Sequence, residues 1–341
     1  MRLIIAGAGR YGWFAPAWAR ALTLLGMRVS FFDYDEYWAE GLFARLENRF
    51  LVGPSVSRLN RELLRMAKAE SPDLILVHNG YPVFPETIKE LANCWPVAGF
   101  HHDNVFGAFG KKAFFRHFRA ALSHYSFHHV IRARNIVEYE SAGVENVRLL
   151  MTYYVPWIHR PLPSGRGADV VFVGHAEPDA RISLIAALIE AGSSIKICGS
   201  ERDWRRHLSG RVLALLPRIQ PVLNDDYAAE LSAARVSLAF YSTANLDSYS
   251  YRVFEIPACG GFLLGQRTDA VQEIFEEGRE AEFFDSEEEL IAKVRYYIRN
   301  GSARDEIARR GYERCTKSGY DVVSRMKTWI SDVREFVDAR I

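Results

Sequence analysis

The segment Asp247-Ser-Tyr-Ser-Tyr-Arg-Val-Phe-Glu-Ile-Pro-Ala-Cys-Gly-Gly-Phe-Leu-Leu264 decides the fold. A helical stretch containing Arg252 and Glu255 ends at the pair Gly260-Gly261 and turns directly into an apolar strand. This order is typical of parallel α/β sheets. The carboxylate can accept hydrogen bonds from a ribose diol, and the arginine beside the helix N-terminus can hold phosphate. A solvated Arg–Glu salt bridge is the alternative interpretation.

Strand–helix alternation continues on both sides of this segment. We predict strands in the second half at Asp169–Val173, Ser194–Cys198, Val236–Phe240 and Phe262–Gly265. We predict strands in the first half at Arg2–Ala6, Val29–Phe32, Leu74–His78, Val97–Phe100, Val130–Ala133 and Val147–Leu150. Short β-branched runs separated by helices indicate doubly wound parallel sheets. Between the halves, Pro156–Gly167 contains three prolines, and we interpret it as an interdomain linker.

The sequence therefore predicts an α/β protein with two Rossmann-like domains, 1–160 and 161–320, followed by a helix at 321–341. Parallel sheets bind ligands beyond the carboxyl ends of their strands, so we expect the site in a cleft that both domains face. The last helix carries an apolar stripe that is better suited to packing than to recognition. The stripe consists of Trp329, Ile330, Val333 and Phe336.

Composition excludes several classes of protein. The net charge of the 341 residues is +1, so no overall field attracts nucleic acid. The four cysteines form no CxxC pair, which argues against a zinc site or a disulfide framework, and we expect each to be buried. No signal peptide is recognisable, and no apolar run approaches the ~20 residues of a membrane-spanning helix. We expect a cytoplasmic protein.

The first strand is followed by Gly7-Ala-Gly-Arg-Tyr-Gly12, which matches the dinucleotide fingerprint G-x-G-x-x-G, and Asp33 ends the next strand. Taken alone, the pattern indicates an NAD-dependent oxidoreductase. The bulky residues Trp13 and Phe14 stand where close helix packing usually requires small side chains, which weakens that interpretation.

Residues Arg252–Cys315 resemble the C-terminal domain of group 1 glycosyltransferases, in the form found in spore-maturation CgeB-like proteins. The matching segments are Arg252–Gly261, Val271–Gly278, Phe284-Asp285, Glu287–Leu290, Arg295–Asn300 and Ile307–Gly311. Asp169–Gly174, Arg181 and Ile197–Gly199 resemble the start of the same domain. Similarity in the N-terminal half lies at Ser71–Gly80, Gly99–Asn104 and Asn135–Gly143.

The resemblance implies a GT-B fold, with a nucleotide-sugar donor in the C-terminal domain and an acceptor chiefly in the N-terminal one. It also implies that the last helix packs back on the N-terminal domain. Related retaining enzymes carry a Glu-x7-Glu motif, and here Asp247 replaces the first glutamate. Carried over, Glu255 binds the ribose, Asp247 lies nearer the sugar, and Arg252 meets the diphosphate with the amides near Gly260 and Gly261.

The donor-binding residues expected from this resemblance are Gly174, Arg181, Gly199, Arg252, Glu255, Gly260 and Gly261. We expect Arg252 and Arg181 to stabilise the negative charge of the leaving diphosphate without a metal. No metal site is predicted. The spacing of Asp33-Tyr-Asp35 matches D-x-D, but we interpret it as a turn.

The segment His101-His-Asp-Asn104 follows a strand of the first half, where loops commonly carry functional groups. Asp103 or His102 can accept the proton of an acceptor hydroxyl, and a capped turn is the alternative. With Arg252 and Asp247 they are the predicted catalytic residues. The acceptor side is predicted to include Gly9, Arg10, Tyr11, Asn79 and His101.

Two further features have a functional and a purely structural interpretation. His124 and His128 have i, i+4 spacing, but no carboxylate completes a zinc motif, so core or solvated histidines are favoured. The basic run Gly110–Arg119 can rest on an anionic membrane, or it is a solvated helix face.

The leading hypothesis is thus a metal-independent, retaining glycosyltransferase with a UDP- or GDP-linked sugar as co-substrate and no bound cofactor. The acceptor is undetermined, with a glycan or a lipid-linked molecule as options; no nucleic acid and at most peripheral membrane contact are expected. An NAD-dependent oxidoreductase and a non-catalytic relative that binds a nucleotide sugar are the alternatives.

Overall fold

A computed structural model describes residues 1–38, 41–107, 114–163, 165 and 167–338. The chain separates into two compact units. The first contains residues 1–151 together with those from Val322 onward, and the second contains Thr152–Asp321. The second unit therefore begins nine residues before the predicted boundary between residues 160 and 161 (161 − 152 = 9).

The first unit contains a six-stranded parallel sheet with the order β2-β1-β3-β4-β5-β6. Its strands are β1 (Arg2–Gly7), β2 (Arg28–Asp33), β3 (Leu74–His78), β4 (Val97–His101), β5 (Phe127–Val130) and β6 (Val147–Leu149). Its first helices are α1 (Ala15–Leu24), α2 (Leu42–Phe50), α3 (Pro54–Glu70), α4 (Pro85–Ala92), α5 (Arg116–Ala121) and α6 (Ala133–Ser141). The chain leaves β1 towards β2 and returns on the other side at β3. The ends of β1 and β3 therefore form a topological switch point, where such sheets bind ligands.

The second unit contains a five-stranded parallel sheet with the order β11-β10-β9-β7-β8. Its strands are β7 (Val170–Val173), β8 (Ile195–Cys198), β9 (Val236–Ala239), β10 (Leu263–Gln266) and β11 (Glu282–Phe284). Its helices are α7 (Ala180–Glu190), α8 (Glu201–Trp204), α9 (Gly210–Leu213), α10 (Asn224–Ala233), α11 (Arg252–Ala258), α12 (Asp269–Ile274), α13 (Glu287–Arg299) and α14 (Gly301–Lys317). The switch point of this sheet lies between β7 and β9. The two predicted parallel-sheet domains are thus confirmed.

The last helix, α15 (Val322–Asp338), belongs to the first unit and packs against α1. The indoles of Trp329 and Trp18 are both buried, with ring centroids 6.3 Å apart. Asp332 accepts hydrogen bonds from His129 and Arg148, both at 2.9 Å. A buried apolar stripe and a polar clamp therefore fix this helix to the sheet of the first unit.

Four local features differ from the predictions. Strand β5 begins at Phe127, not Val130, because two histidines made a buried strand look like a loop. Strand β11 was not predicted. The supposed linker Pro156–Gly167 lies in the second unit, where the amide of Leu162 donates to Ser232 Oγ at 3.2 Å. Cys94 is exposed, whereas the other three cysteines are buried as expected.

Residues 110–113 of the predicted basic run lie outside the described residues. The remainder of the run begins α5, where Arg116 and His117 bind the carbonyl oxygens of Phe50 and Leu51 at the end of α2. None of the helices in the described ranges is long and apolar enough to cross a membrane.

Candidate functional site

Glu255 is the buried carboxylate of helix α11. Its side chain accepts a 2.5 Å hydrogen bond from the hydroxyl of Tyr227 on α10, and its second oxygen lies 3.7 Å from Nε2 of His159. Only 6% of its surface is exposed. An ionised carboxylate accepts up to about four hydrogen bonds, so Oε1 has acceptor capacity left beyond these neighbours.

The two side chains beside Glu255 are held in their neutral forms. Burial lowers the pKa of His159 below its usual value, although the Glu255 carboxylate opposes this shift. Burial, followed by the negative charge of Glu255, raises the pKa of Tyr227 well above its usual value. The tyrosine therefore stays a donor to the carboxylate across the physiological pH range.

Arg252 begins the same helix and reaches the end of β7. Its Nε donates to the carbonyl of Val173, and its guanidinium carbon lies 5.8 Å from the ring centre of Phe172. A Cβ added at Gly174 would lie 3.1 Å from Nη2 of Arg252. No carboxylate among the described residues forms an ion pair with Arg252. An uncompensated, oriented cation therefore stands at the switch point of the second sheet.

Gly199, at the end of β8, lies against the same turn. A Cβ at this position would stand 2.4 Å from the carbonyl oxygen of Gly174. That carbonyl accepts a hydrogen bond from the indole of Trp204 at 3.1 Å. The two glycines predicted at the donor site thus lie side by side, and a side chain at Gly199 would push the two strand ends apart.

Arg181 has a different environment from the one predicted. Its guanidinium is 5% exposed and makes two hydrogen bonds to Asp179, at 2.7 and 2.8 Å. It also lies 3.2 Å from both Glu177 Oε1 and the carbonyl of His175. Its charge is compensated by two carboxylates, so it shapes the loop between β7 and α7. Ser242, after β9, donates to Glu177 and joins the two loops at the switch point.

The predicted phosphate-binding role of Gly260 and Gly261 is wrong for this structure. Their amides donate to carbonyls of α11, those of Pro257 at 2.8 Å and Ile256 at 3.0 Å. Gly260 has a φ of +74°, the left-handed conformation that ends a helix. A Cβ at Gly261 would lie 2.8 Å from the carbonyl of Leu231. The pair precedes β10, at the opposite edge of the sheet from Gly174.

Asp247 lies half-buried in the loop between β9 and α11. Its amide donates to the carbonyl of Ser242 at 2.9 Å, and the preceding Leu246 has a φ of +55°. The loop therefore folds back towards the end of β9, which is the switch-point strand. The roles of Asp247 and Glu255 towards a donor stay predictions.

In the first unit, the glycine turn after β1 is filled by acidic side chains. The amide of Gly9 donates to Asp33 at 2.7 Å, and the amide of Arg10 donates to Asp35 at 2.8 Å. A Cβ at Gly9 would lie 1.9 Å from Asp33 Oδ2. In the dinucleotide fingerprint such a turn binds a pyrophosphate and the acidic residue binds ribose. Here the amides of the turn donate to the acidic residues instead. The oxidoreductase alternative is not favoured.

The pair Asp33 and Asp35 forms a turn, as predicted. Asp33 accepts the amide of Asp35 at 2.8 Å and caps a short 3₁₀ helix, Tyr34–Tyr37. Arg10 stays near this turn, 3.6 Å from a carboxylate oxygen of Asp35, and its guanidinium lies 5.2 Å from the ring centre of Tyr11. Tyr11 is exposed. Both residues follow β1 at the carboxyl edge of the first sheet, and their contact with an acceptor stays a prediction.

His102 and Asn79 meet at the ends of the neighbouring strands β4 and β3. The amide of His102 donates to Asn79 Oδ1 at 3.2 Å, and Asn79 Nδ2 lies 2.9 Å from Nδ1 of the ring. The ring stacks on Phe14 with centroids 4.5 Å apart. Asp103 Oδ2 lies 3.9 Å from Nε2 of His102. Asn79, His102 and Asp103 are therefore brought together as predicted.

His101 does not line this group. Its ring is 3% exposed and packs on Phe115 and Phe118 in the core. Its Nδ1 accepts the amide of Asp103 at 3.1 Å, and burial lowers its pKa to about 3. The prediction that His101 contacts an acceptor is wrong because consecutive residues of a strand point to opposite faces of the sheet.

The histidine pair with i, i+4 spacing forms no metal centre. His128 is fully buried in β5, and its Nε2 donates to the carbonyl of Leu122 at 3.0 Å. Its pKa is lowered to about 4 by burial. Within the described ranges, no group of three or more His, Cys, Asp or Glu side chains is placed to hold a metal ion.

Sequence reasoning missed three neighbours of the candidate groups. His159 and Tyr227 contact Glu255 from distant segments, and the first of them lies in the supposed linker. Phe14, noted only as a bulky residue, provides the ring that covers His102. No motif in the sequence links these positions, because each contact arises from sheet topology.

Comparisons with known proteins agree with this architecture. The family model described as glycosyl transferase-like matches residues 181–331. HepE of Anabaena, in a crystal structure with UDP-glucose, superposes with a TM-score of 0.70 at 14% identity, covering 98% of this chain and 100% of that one. Sucrose-phosphate synthase from Thermosynechococcus elongatus gives a TM-score of 0.70 at 11% identity, with coverage of 98% and 100%.

A glycosyltransferase from Rickettsia africae gives a TM-score of 0.66 at 9% identity, with 98% of each chain covered. The sequence has no match among the curated proteins. Identities this low establish the fold alone, which is GT-B. The domain match over residues 181–331 and the GT-B fold together indicate that this chain is a glycosyltransferase.

Proposed function

We propose that the chain transfers a sugar from a uridine diphosphate donor, bound by the second unit, to an acceptor hydroxyl bound by the first. The observation that carries the proposal is the placement of Glu255 and Arg252 one helical turn apart on α11. One offers a buried carboxylate and the other an uncompensated cation. These are the two chemistries that a ribose diol and a diphosphate require.

The ribose is proposed to bind Oε1 of Glu255. Tyr227 occupies Oε2 and thereby orients the carboxylate, and His159 closes the other side. Because both neighbours are neutral, the carboxylate keeps its charge uncompensated and is a strong acceptor. The arrangement supports binding of two adjacent hydroxyls, which each donate one hydrogen bond.

The diphosphate is proposed to lie beside Gly174, where a side chain would block its approach to Arg252. Transfer breaks the bond between the anomeric carbon and the phosphate oxygen, so negative charge grows on the leaving diphosphate. A guanidinium already fixed by the Val173 carbonyl needs little reorganisation to stabilise that charge. We assign this role to Arg252 alone, because Arg181 is compensated by carboxylates. On this basis the reaction needs no metal.

The uridine base is inferred from HepE, whose crystal structures contain UDP-glucose or UDP. Retention of configuration and a place in the CgeB-like subfamily are inferred from the motif that spans Asp247 and Glu255. The acceptor is proposed to bind at the carboxyl edge of the first sheet, near Asn79, His102 and Asp103.

Calorimetric titration with UDP, GDP and NAD tests the donor assignment. We expect UDP to bind the wild-type protein, GDP to bind more weakly and NAD not to bind. Replacing Glu255 with glutamine removes the charge but keeps the shape, and it is expected to weaken UDP binding about 10- to 100-fold, the value of a hydrogen bond to a charged group.

Glu282→Gln is the matched control. Glu282 is also buried and also accepts a 2.5 Å hydrogen bond from a tyrosine, Tyr297, in the same unit. Its loss is expected to leave UDP affinity unchanged. Equal effects of the two substitutions on UDP binding, or NAD binding to the wild type, would overturn the assignment.

A further inference from the structure

Asn79 and His102 are joined by two contacts that fix the direction of both side chains. A backbone N–H can only donate, so the oxygen of Asn79 must face the amide of His102. The amide nitrogen of Asn79, which carries two protons, therefore faces Nδ1 of the ring at 2.9 Å. An NH2 group cannot accept a hydrogen bond, so Nδ1 must be the acceptor.

Because Nδ1 accepts a hydrogen bond, the position of the proton on the His102 ring is determined. In a neutral imidazole one nitrogen carries the proton and the other accepts, so the proton of His102 lies on Nε2. Protonating Nδ1 would bring its hydrogen against the NH2 of Asn79. Rotating the ring by half a turn would replace the hydrogen bond with a C–H contact. Stacking on Phe14 restricts other ring orientations.

We propose that Asn79 is a positioning residue that holds His102 as the neutral Nε2–H tautomer, so that the ring donates a hydrogen bond to a substrate oxygen and does not act as a base. The tautomer follows from the contacts of the first unit alone. Its use towards a substrate rests on the proposed function.

The charged and titratable neighbours of the ring agree with this state. His78 and His101 lie with ring centroids 6.2 and 5.8 Å away, and burial lowers the pKa of both. Arg132 donates to the carbonyl of His102 at 3.0 Å. The carboxyl group of Asp103 also lies near the ring, with Oδ2 3.9 Å from Nε2, which is too far for a direct hydrogen bond between these two atoms.

The backbone of Asn79 determines which variants are informative. Its φ is +52°, a left-handed conformation that asparagine, aspartate and glycine tolerate better than alanine. Asn79→Asp keeps the shape but replaces the NH2 with an acceptor, which requires a proton on Nδ1. Asn79→Gly removes the side chain without backbone strain.

The tautomer is read by nitrogen NMR of protein with ¹⁵N-labelled histidine, without any nucleotide. Couplings from the two ring C–H protons distinguish Nδ1 from Nε2, and His102→Gln identifies the signal. We expect an unprotonated Nδ1 in the wild type, a protonated Nδ1 in Asn79→Asp and a mixture in Asn79→Gly. A protonated Nδ1 in the wild type, or an unchanged ring in Asn79→Asp, overturns the proposal.

Kinetics separate a donor from a base. Glutamine keeps an N–H donor near the place of Nε2 but cannot take up a proton. We expect His102→Gln to keep kcat/KM within about tenfold of the wild type, and His102→Ala to lose more. A base is worth about 10²- to 10⁴-fold, so a loss of that size in His102→Gln overturns the donor role.

UDP binding and the NMR measurement test the proposed function and this proposal separately. Failure of UDP to bind would remove the glycosyltransferase assignment while the NMR result for the ring stands. A wrong tautomer with intact UDP binding would remove only the role of Asn79.

Discussion

The hydroxyl of Tyr227 donates to Glu255 at 2.5 Å, and among the described residues this is the only hydrogen bond to that carboxylate. Tyr297 and Glu282 form the same pair, with the same distance, elsewhere in the second unit. The two pairs differ in what surrounds them. Glu282 also binds Lys293 at 2.6 Å, whereas Glu255 faces the neutral ring of His159. Lys293 forms an ion pair with Glu282, whereas no lysine or arginine in the described part of the chain pairs with Glu255.

This difference predicts that the same substitution affects stability at both sites but UDP binding at only one. Tyr227→Phe and Tyr297→Phe each remove a hydrogen bond to a buried carboxylate, so each is expected to lower the free energy of unfolding by about 1–3 kcal/mol. Only Tyr227→Phe is expected to weaken UDP binding, by about tenfold, because Glu255 loses its orientation. Denaturant unfolding and calorimetry measure the two quantities. A loss of UDP affinity in both variants contradicts the pairing argument.

Arg252→Lys tests whether geometry matters beyond charge. Lysine keeps the cation but cannot both bind the Val173 carbonyl and present two parallel donors, so we expect UDP affinity to fall about tenfold. Arg235→Lys is the control. Arg235 and Asp169 immediately precede β9 and β7, at the amino edge of the sheet, and form an ion pair at 2.7 Å. The control variant is expected to bind UDP as the wild type does. If Arg252→Lys also bound normally, the guanidinium would not contact phosphate.

The glycine turn of the first unit is expected to tolerate no side chain at its centre. Gly9→Ala places a methyl group 1.9 Å from Asp33 Oδ2, and overpacking of this kind costs about 1–3 kcal/mol. Gly210→Ala is the control, since a Cβ there meets nothing within 4 Å. Thermal unfolding of the two variants should differ accordingly. Equal melting temperatures would mean that the carboxylate moves away at little cost.

Buried histidine makes stability depend on pH. The pKa of His128 is about 4 in the folded protein, whereas an exposed histidine has a value of about 6.5. The unfolded chain therefore binds a proton first as the pH falls. The contribution of neutral His128 to the free energy of unfolding is complete above about pH 6.5. It is lost progressively down to about pH 4, by up to ~1.4 kcal/mol per pH unit.

His128→Gln checks this dependence, because glutamine can still donate to the Leu122 carbonyl. Unfolding free energies are measured at several pH values between 4 and 6.5. Their dependence on pH is expected to be shallower in the variant, because unfolding then takes up about one proton fewer. Parallel pH profiles for the variant and the wild type would show that His128 does not contribute. His101 is expected to add to the same acid sensitivity in both proteins, since its pKa is also lowered, to about 3.

Much of the fold was predictable because strands buried on both faces are continuous apolar runs. Leu74–His78 has the predicted bounds, and so does the end of β8 at Cys198. Phe127–Val130 was misplaced because histidine is usually counted as polar, whereas both histidines there are buried. Patterns of hydrophobicity predict a strand only where burial and side-chain polarity agree.

The site was predictable only in part. Glu255 and Arg252 were found because they stand in one short motif. Gly260 and Gly261 were misassigned because nearness in sequence does not specify the edge of a sheet. Helix α11 has seven residues and spans about 10 Å, which carries the chain from the carboxyl edge to the amino edge. The partners of Glu255 come from other elements, and only the three-dimensional structure identifies them.

The attachment of α15 to the first unit affects how the protein is made on the ribosome. Residues 152–321 are continuous and can fold as soon as they emerge, whereas the N-terminal half must wait for the last helix to cover Trp18. At a translation rate of about 5–20 residues per second, the wait lasts on the order of ten seconds or more. The segment translated first is therefore the last to be completed, and during this interval its apolar surface is open to chaperones.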